Sequence, residues 1–250
     1  MSETPRRLTF GANADAYERA RPDWPSETAW WLTPGTPQLV VELGAGTGKL
    51  TRALAAAGRH VLAVEPDLRM LGILHGLGLA GVEAVQGSAE AVPLADGAAD
   101  AVVAGSSLHW FDVEQALAEA HRVLRPGGTF AFGWNHRDAA EPAMARVAAA
   151  LEAARRGPAS WPTRPWADLV IAGGLFGSVE RGRFPHVLDL PREALGDHLR
   201  SYATLAGLAE AELAELAGRV AAIVEEEPSL RRGDRLALPF VVDGYRTVRR

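Results

Sequence analysis

The residues best suited to chemistry fall in four short motifs. The first is Val41-Glu42-Leu43-Gly44-Ala45-Gly46-Thr47-Gly48, an apolar run holding one carboxylate, then three glycines at alternate positions. Glycine is needed where the backbone takes positive φ or a ligand must approach the main chain. The second is Val64-Glu65-Pro66-Asp67, with Glu65 placed 21 residues after Gly44. At that interval an acid closing the next strand reaches ribose hydroxyls in nucleotide-binding folds, and an ionised carboxylate accepts them through strong, charge-assisted bonds. The third, Gln86-Gly87-Ser88-Ala89-Glu90, sets small residues before polar ones and suits the edge of an adenine. The fourth, Gly105-Ser106-Ser107-Leu108-His109-Trp110-Phe111, brings an imidazole and two aromatic rings to the same sheet edge.

The glycine spacing discriminates between ligands. A dinucleotide loop reads Gly-x-Gly-x-x-Gly and faces pyrophosphate with a helix N-terminus. Here Lys49 takes the third glycine's place. Glu42, just before the loop, repels a pyrophosphate and suits a cationic or zwitterionic ligand. No phosphate-loop Gly-Lys-Ser/Thr follows, and Ser106-Ser107 lacks the Gly-x-Ser-x-Gly elbow of hydrolases. No His/Asp/Glu set has metal-ligand spacing, so no metal is expected. Histidine ordinarily titrates near neutrality, which makes His109 the first choice for a general base or a substrate contact. His136 is second. Trp110, Trp161, Trp166, Phe176 and Tyr202 are candidate walls of an acceptor pocket.

Elements must deliver these motifs to one place. Apolar runs at 39–43, 60–64, 82–86, 101–104 and 129–134 alternate with helical patterns at 49–57, 67–74 and 115–124. Short buried strands alternating with helices predict βαβ units and a parallel sheet covered on both faces. Upstream, Ser26 is the expected cap of a helix over 27–32. Downstream, helices are expected over 142–156, 191–204 and 210–227, with strands over 179–190 and 235–246.

Composition bounds the rest. The chain has 250 residues, 48% hydrophobic and 23% charged, with a net charge of −5 and no cysteine. That excludes disulfides and a thiol nucleophile, and argues against nucleic acid as the main partner. No apolar run approaches membrane-spanning length, and Arg6-Arg7 is followed by no apolar segment of an export signal, so neither a membrane partner nor export is expected. Cytoplasmic location is the expectation. Lys49 is the sole lysine, which reads as the bias of a GC-rich genome.

In their order, Glu42 to Gly48, Val64 to Asp67, Gly87 to Glu90, His109-Trp110-Phe111 and Leu124-Arg125-Pro126-Gly127-Gly128 resemble the motifs of class I S-adenosylmethionine-dependent methyltransferases. The likeness is to the small-molecule "methyltransferase type 11" group. The leading Phe10-Gly11, Tyr17 and Arg19-Ala20-Arg21-Pro22 are similar to members related to trans-aconitate-type methyltransferases. The resemblance implies an α/β, Rossmann-like sheet of seven mostly parallel strands with the last antiparallel, helices on both faces and a helical lid. It implies one domain over 1–250: a cap segment at 1–36, a cofactor-binding core at 37–138, substrate-side helices and a strand at 139–235, and a final strand at 236–250.

It further implies that Gly44, Ala45, Gly46 and Gly48 line the methionine part of S-adenosylmethionine, with Glu42 beneath. Glu65 and Pro66 would hold the ribose, Leu68 or Met70 would pack on adenine, and Ser88, Ala89 and Glu90 would follow its edge. Gly105 and Ser106 would lie near the sulfonium, with Tyr17 and Arg21 closing over the cofactor. The position that often bears Asp in the adenine loop is Ser88. The acceptor would be a small molecule, methylated on oxygen, with Trp110, His136, Trp161 and Trp166 as substrate residues. N- or C-methylation, a nicotinamide-dependent oxidoreductase and a non-catalytic adenosylmethionine-binding protein are the alternatives. Oligomeric state is not readable.

Overall fold

The computed structural model describes residues 14–156 and 165–250. Its parallel strands are β1 (Val40–Leu43), β2 (Val61–Glu65), β3 (Val82–Gln86), β4 (Ala99–Gly105) and β5 (Leu124–Arg137), arranged β3-β2-β1-β4-β5. Every residue of β1 and β2 is buried, which explains their unbroken apolar sequence. The sheet continues through β8 (Arg235–Val248) to β6 (Glu180–Pro191), and β8 runs antiparallel to both neighbours. This is the Rossmann-like α/β order with the last strand reversed. A two-residue strand, β7 (Arg231–Arg232), folds back on β8 as an addition that the sequence pattern does not reveal.

The described helices are α1 (Ala14–Ala20), α2 (Ser26–Leu32), α3 (Lys49–Ala56), α4 (Leu68–Gly76), α5 (Val113–Val123), α6 (Pro142–Ala153), α7 (Trp166–Ala172), α8 (Leu195–Arg200) and α9 (Glu210–Glu225). None is long and apolar enough to cross a membrane. Asp67 starts α4 by accepting from the N–H groups of Arg69 and Met70, and Asp112 starts α5 by accepting from Gln115. Two expectations need correction. Pro25, not Ser26, holds the cap position of α2, and Ser26 is its first helical residue. The single helix expected over 191–204 is a turn, the short α8 and another turn. The Ser201 hydroxyl donates to His198 O at 2.6 Å, and such side-chain competition for a helix carbonyl favours an end there.

Four glycines lie side by side across the sheet: Gly105 pairs with Gly133, Gly133 with Gly244, and Gly244 with Gly182. Side chains facing this row include Leu50 and Phe184 and two tryptophans of the leading segment. A Cβ on Gly105 would come within 3.1 Å of the Trp24 ring, and one on Gly244 or Gly182 within 3.1 or 2.9 Å of the Trp31 ring. Arg246 fixes Trp31 further, lying 4.6 Å from its ring centroid and donating to its carbonyl. The trough therefore seats the segment that carries Tyr17 and Arg21 against the sheet edge. A Cβ at Gly133 would meet the backbone oxygen of Asp243 at 2.8 Å, and backbone cannot yield as a side chain can. Gly133→Ala is expected to cost roughly 1–3 kcal/mol in urea unfolding. Gly72→Ala, exposed in α4 with nothing within 4 Å, should be neutral or stabilising by up to about 1 kcal/mol.

Candidate active site

The loop between β1 and α3 is built from left-handed glycines: φ is 66° at Gly44, 59° at Gly46 and 93° at Gly48. The N–H groups of Gly44 and Ala45 both bond Val64 O, tying the loop to β2. The three glycines differ in what surrounds them. A Cβ on Gly44 would lie 2.8 Å from Ser107 Cβ, and one on Gly48 would lie 2.7 Å from Leu74 Cδ1. At Gly46 the nearest atom would be Met70 Sδ at 3.9 Å. Gly44 and Gly48 thus serve packing, whereas Gly46 bares its main chain toward open space.

Two buried carboxylates flank this turn. Glu65 is 5% exposed; one oxygen accepts from the Gly46 N–H at 2.8 Å and the other from the Asp67 N–H at 2.9 Å. Each oxygen keeps a second lone pair, so the carboxylate is oriented with capacity for two further donors. Burial pushes its pKa up, against the pull of those two bonds. Glu42 is 1% exposed and accepts from Thr51 Oγ1 at 2.7 Å. Burial pushes its pKa up to about 8, with the Thr51 bond opposing and the Glu65 charge adding. Neither acid has a cation beside it among the described residues.

The rest of the expected cofactor side converges on the same edge. Met70 is buried beneath Gly46, Leu68 is exposed beside it, and Pro66 is half-buried. Ser88 to Ala91 close a tight turn with Ala89 buried. Glu90 accepts from the Asp112 N–H at 3.0 Å, so part of its capacity ties this turn to the start of α5. Ser107 Oγ donates to Leu43 O at 2.7 Å and joins the fourth motif to the first. Ser106 takes φ 54°, rare for a residue with a side chain; its hydroxyl oxygen accepts from the Asn135 N–H.

His109 is held by a residue that sequence inspection gave no site role. Trp134 Nε1–H donates to His109 Nδ1 at 3.2 Å. Burial, then the Arg21 charge, pushes His109 down to about 4. The imidazole is therefore neutral at ordinary pH, with Nδ1 accepting and the proton on Nε2. Above it, Arg21 lies 5.3 Å from the Tyr17 ring and 3.9 Å from the Tyr202 ring, and donates Nη2–H to Ser201 O at 3.0 Å. Burial raises the Tyr17 phenol above its ordinary range.

The substrate-side expectations separate. Trp110 is half-buried, its ring 4.7 Å from that of His109. His136 directs Nε2 at Asp243 Oδ2 (2.8 Å) and Nδ1 at Arg137 O (3.0 Å), so both ring nitrogens already face acceptors of the sheet. Trp166 is 4% exposed in the core, 5.3 Å from Trp134. Phe176 is fully buried against Phe130, so it packs the core and lines no pocket. Trp161 lies outside the described residues. Sequence reasoning gave no site role to Trp134 and Arg137, at the end of β5, or to His198 in α8. A strand reaching the ligand edge was the available signal for the first two.

Residues 41–132 match the family model described as a methyltransferase domain. An uncharacterized methyltransferase of Mycobacterium tuberculosis (strain H37Rv) is 36% identical over 236 residues, covering 94% of this chain and 93% of that protein. The chain belongs to the class I S-adenosylmethionine-dependent methyltransferases. An uncharacterized methyltransferase-like protein of Schizosaccharomyces pombe is 32% identical over 245 residues, covering 96% and 95%. In fold, this methyltransferase resembles a candidate type II methyltransferase from Anaeromyxobacter dehalogenans, with a TM-score of 0.63 at 21% identity over 92% of this chain and 97% of that one. The protein is thus an enzyme with S-adenosylmethionine as cofactor. The residues fit that group: an open turn at Gly46 admits a ligand, and the Glu65 carboxylate beside it keeps acceptor capacity for two hydroxyl donors.

The Glu42 shift has a signed consequence for the methyltransferase. Its folded pKa lies above the ordinary 4.5, so the native state favours the protonated form. The stability linked to that proton is present below about pH 4.5 and is lost as pH rises toward about 8. Glu42→Gln should remove this decline. Between pH 5 and 8, wild-type unfolding free energy should fall relative to the variant by roughly 2–4 kcal/mol in urea titrations. Parallel pH dependences in the two proteins would contradict the assignment.

Proposed function

We propose that this methyltransferase transfers methyl to an oxygen of a small molecule seated beside His109. S-adenosylmethionine, when bound, supplies an electrophilic methyl carried on a sulfonium. In this reading Gly46 bares its main chain to the cofactor, and Glu65 offers its remaining lone pairs to the ribose. Met70 and Ala89 flank the base, with Ser88 and Glu90 along its edge. Tyr17 and Arg21 close over the other end, where Arg21 meets the cofactor's carboxylate. Gly105 and Ser106 stand between that end and the acceptor.

The observation that carries the reading is the Trp134–His109 hydrogen bond. With Nδ1 occupied and Nε2 protonated, His109 offers the acceptor a donor and does not remove a proton from it. The chain's contribution is then placement: His109 Nε2–H fixes the acceptor oxygen, and Trp110 covers it. Alignment of nucleophile with the methyl is worth up to about 7–11 kcal/mol. An oxygen that is already ionised at neutral pH needs nothing more.

A screen of small acids, phenols and amines with isotopically labelled cofactor, read by mass, tests the acceptor class. Methyl is expected on oxygen, and label found only on nitrogen or carbon would contradict it. With the acceptor found, kcat should show no titration of His109 between pH 6 and 8. His109→Ala should lower turnover by roughly 10–100-fold, as for a hydrogen bond to a charged group, and leave cofactor affinity intact. A limb near pH 6.5 that disappears in the variant would make His109 a base instead.

A further inference from the structure

Arg21 and Arg137 share an unusual state: in each, Nε is buried and has no hydrogen-bond partner among the described residues. Both lie against one ring, with their guanidinium carbons 3.9 and 4.6 Å from the Tyr202 centroid. That ring is held in place from behind. The Tyr202 hydroxyl donates to His198 Nε2 at 3.1 Å, and His198 Nδ1–H donates to Ala20 O at 2.7 Å. Burial pushes His198 down to about 3, so it is neutral and adds no third charge. Neither guanidinium forms an ion pair with a carboxylate among the described residues. Ring faces offset part of the charge, but an unpaired guanidinium under cover is costly to keep.

The two arginines face different neighbours. Arg21 stands within electrostatic reach of Tyr17 and His109, and Tyr17 within reach of Glu65, which places Arg21 toward the cofactor end. Arg137 closes β5, one residue past His136 and beside Tyr202 and His198. A guanidinium fork matches oxyanions through paired N–H bonds. We infer that Arg137, backed by Arg21 and Tyr202, binds an oxyanion of the methyl acceptor and restricts the enzyme to acidic small molecules, those bearing a carboxylate or a phosphate. This rests on the reading that the acceptor lies beside His109. It makes Arg137 a specificity-determining residue, one to which sequence reasoning gave no site role.

Calorimetry on protein saturated with S-adenosylhomocysteine tests this directly, with succinate, inorganic phosphate and the neutral succinamide as probes. Wild type should bind at least one of the anions and not succinamide, and the preferred anion names the carboxylate or the phosphate source. Arg137→Gln should weaken that binding at least about 10-fold, with S-adenosylhomocysteine affinity unchanged. Ligand-free Arg137→Gln should melt at or above the wild-type temperature, because a buried donor without a partner is gone. Undiminished anion binding in Arg137→Gln would overturn the inference. So would a wild type that binds neither anion, a variant that loses S-adenosylhomocysteine, or a clearly lower melting temperature, which would mark a structural role. A wild type that binds the anion through Arg137 yet methylates only nitrogen or carbon would refute oxygen transfer and leave the anion site standing.

Discussion

Buried polar groups without a protein counter-charge are the constraint on which the site depends. At the glycine-loop end, Glu42 and Glu65 are nearly inaccessible and are steadied by neutral donors alone: a threonine hydroxyl and two backbone N–H groups. At the other end, Arg21 and Arg137 lean on a tyrosine ring with an unsatisfied Nε each. Folding could lower its free energy by pairing these groups, and it already holds Glu42 protonated up to about pH 8. Leaving them apart keeps acceptor groups at one end and cationic donors at the other available to a ligand, with neutral His109 within reach of Arg21.

The scaffold keeps the two ends apart with few moving parts. β1, β2 and β4 end on one edge, and their three loops are cross-linked by Gly46 to Glu65 and by Ser107 to Leu43. The cationic end comes from elsewhere: the end of α1, the end of α8 and the end of β5. The glycine row decides whether these can meet the sheet edge, since it lets Trp24 and Trp31 pack close against the strands. Ala20 and Ser201 then join α1 to α8 through His198 and Arg21.

Much of this was legible because much of it is local. The strand–glycine–helix succession around Gly44 to Gly48, and the acid closing the following strand, are written in contiguous residues, and the structure brings them together at one edge. The helix broken near Ser201 was misread because a side-chain bond to His198 O leaves no mark on hydrophobic periodicity. β7 is too short to carry a pattern. Trp134 and Arg137 looked like an apolar strand residue and a strand-end cation. Their significance comes from residues 25 and 65 positions away, His109 and Tyr202, a relation that one sequence does not display. Tyr202 was noticed for being aromatic, but as an apolar wall and not as a platform between two cations.

The proposal beneath the rest is that Glu65, oriented by Gly46 and Asp67, receives the ribose of the cofactor. The decisive measurement is a thermodynamic cycle by calorimetry, pairing wild type and Glu65→Ala with S-adenosylhomocysteine and its 2′-deoxy analogue. Wild type should favour the intact ribose by roughly 1.5–3 kcal/mol, the worth of a hydrogen bond to a charged group. Glu65→Ala should bind both ligands weakly and almost equally, so that the preference vanishes with the carboxylate. Equal discrimination by the two proteins, or full affinity in Glu65→Ala, would contradict the account.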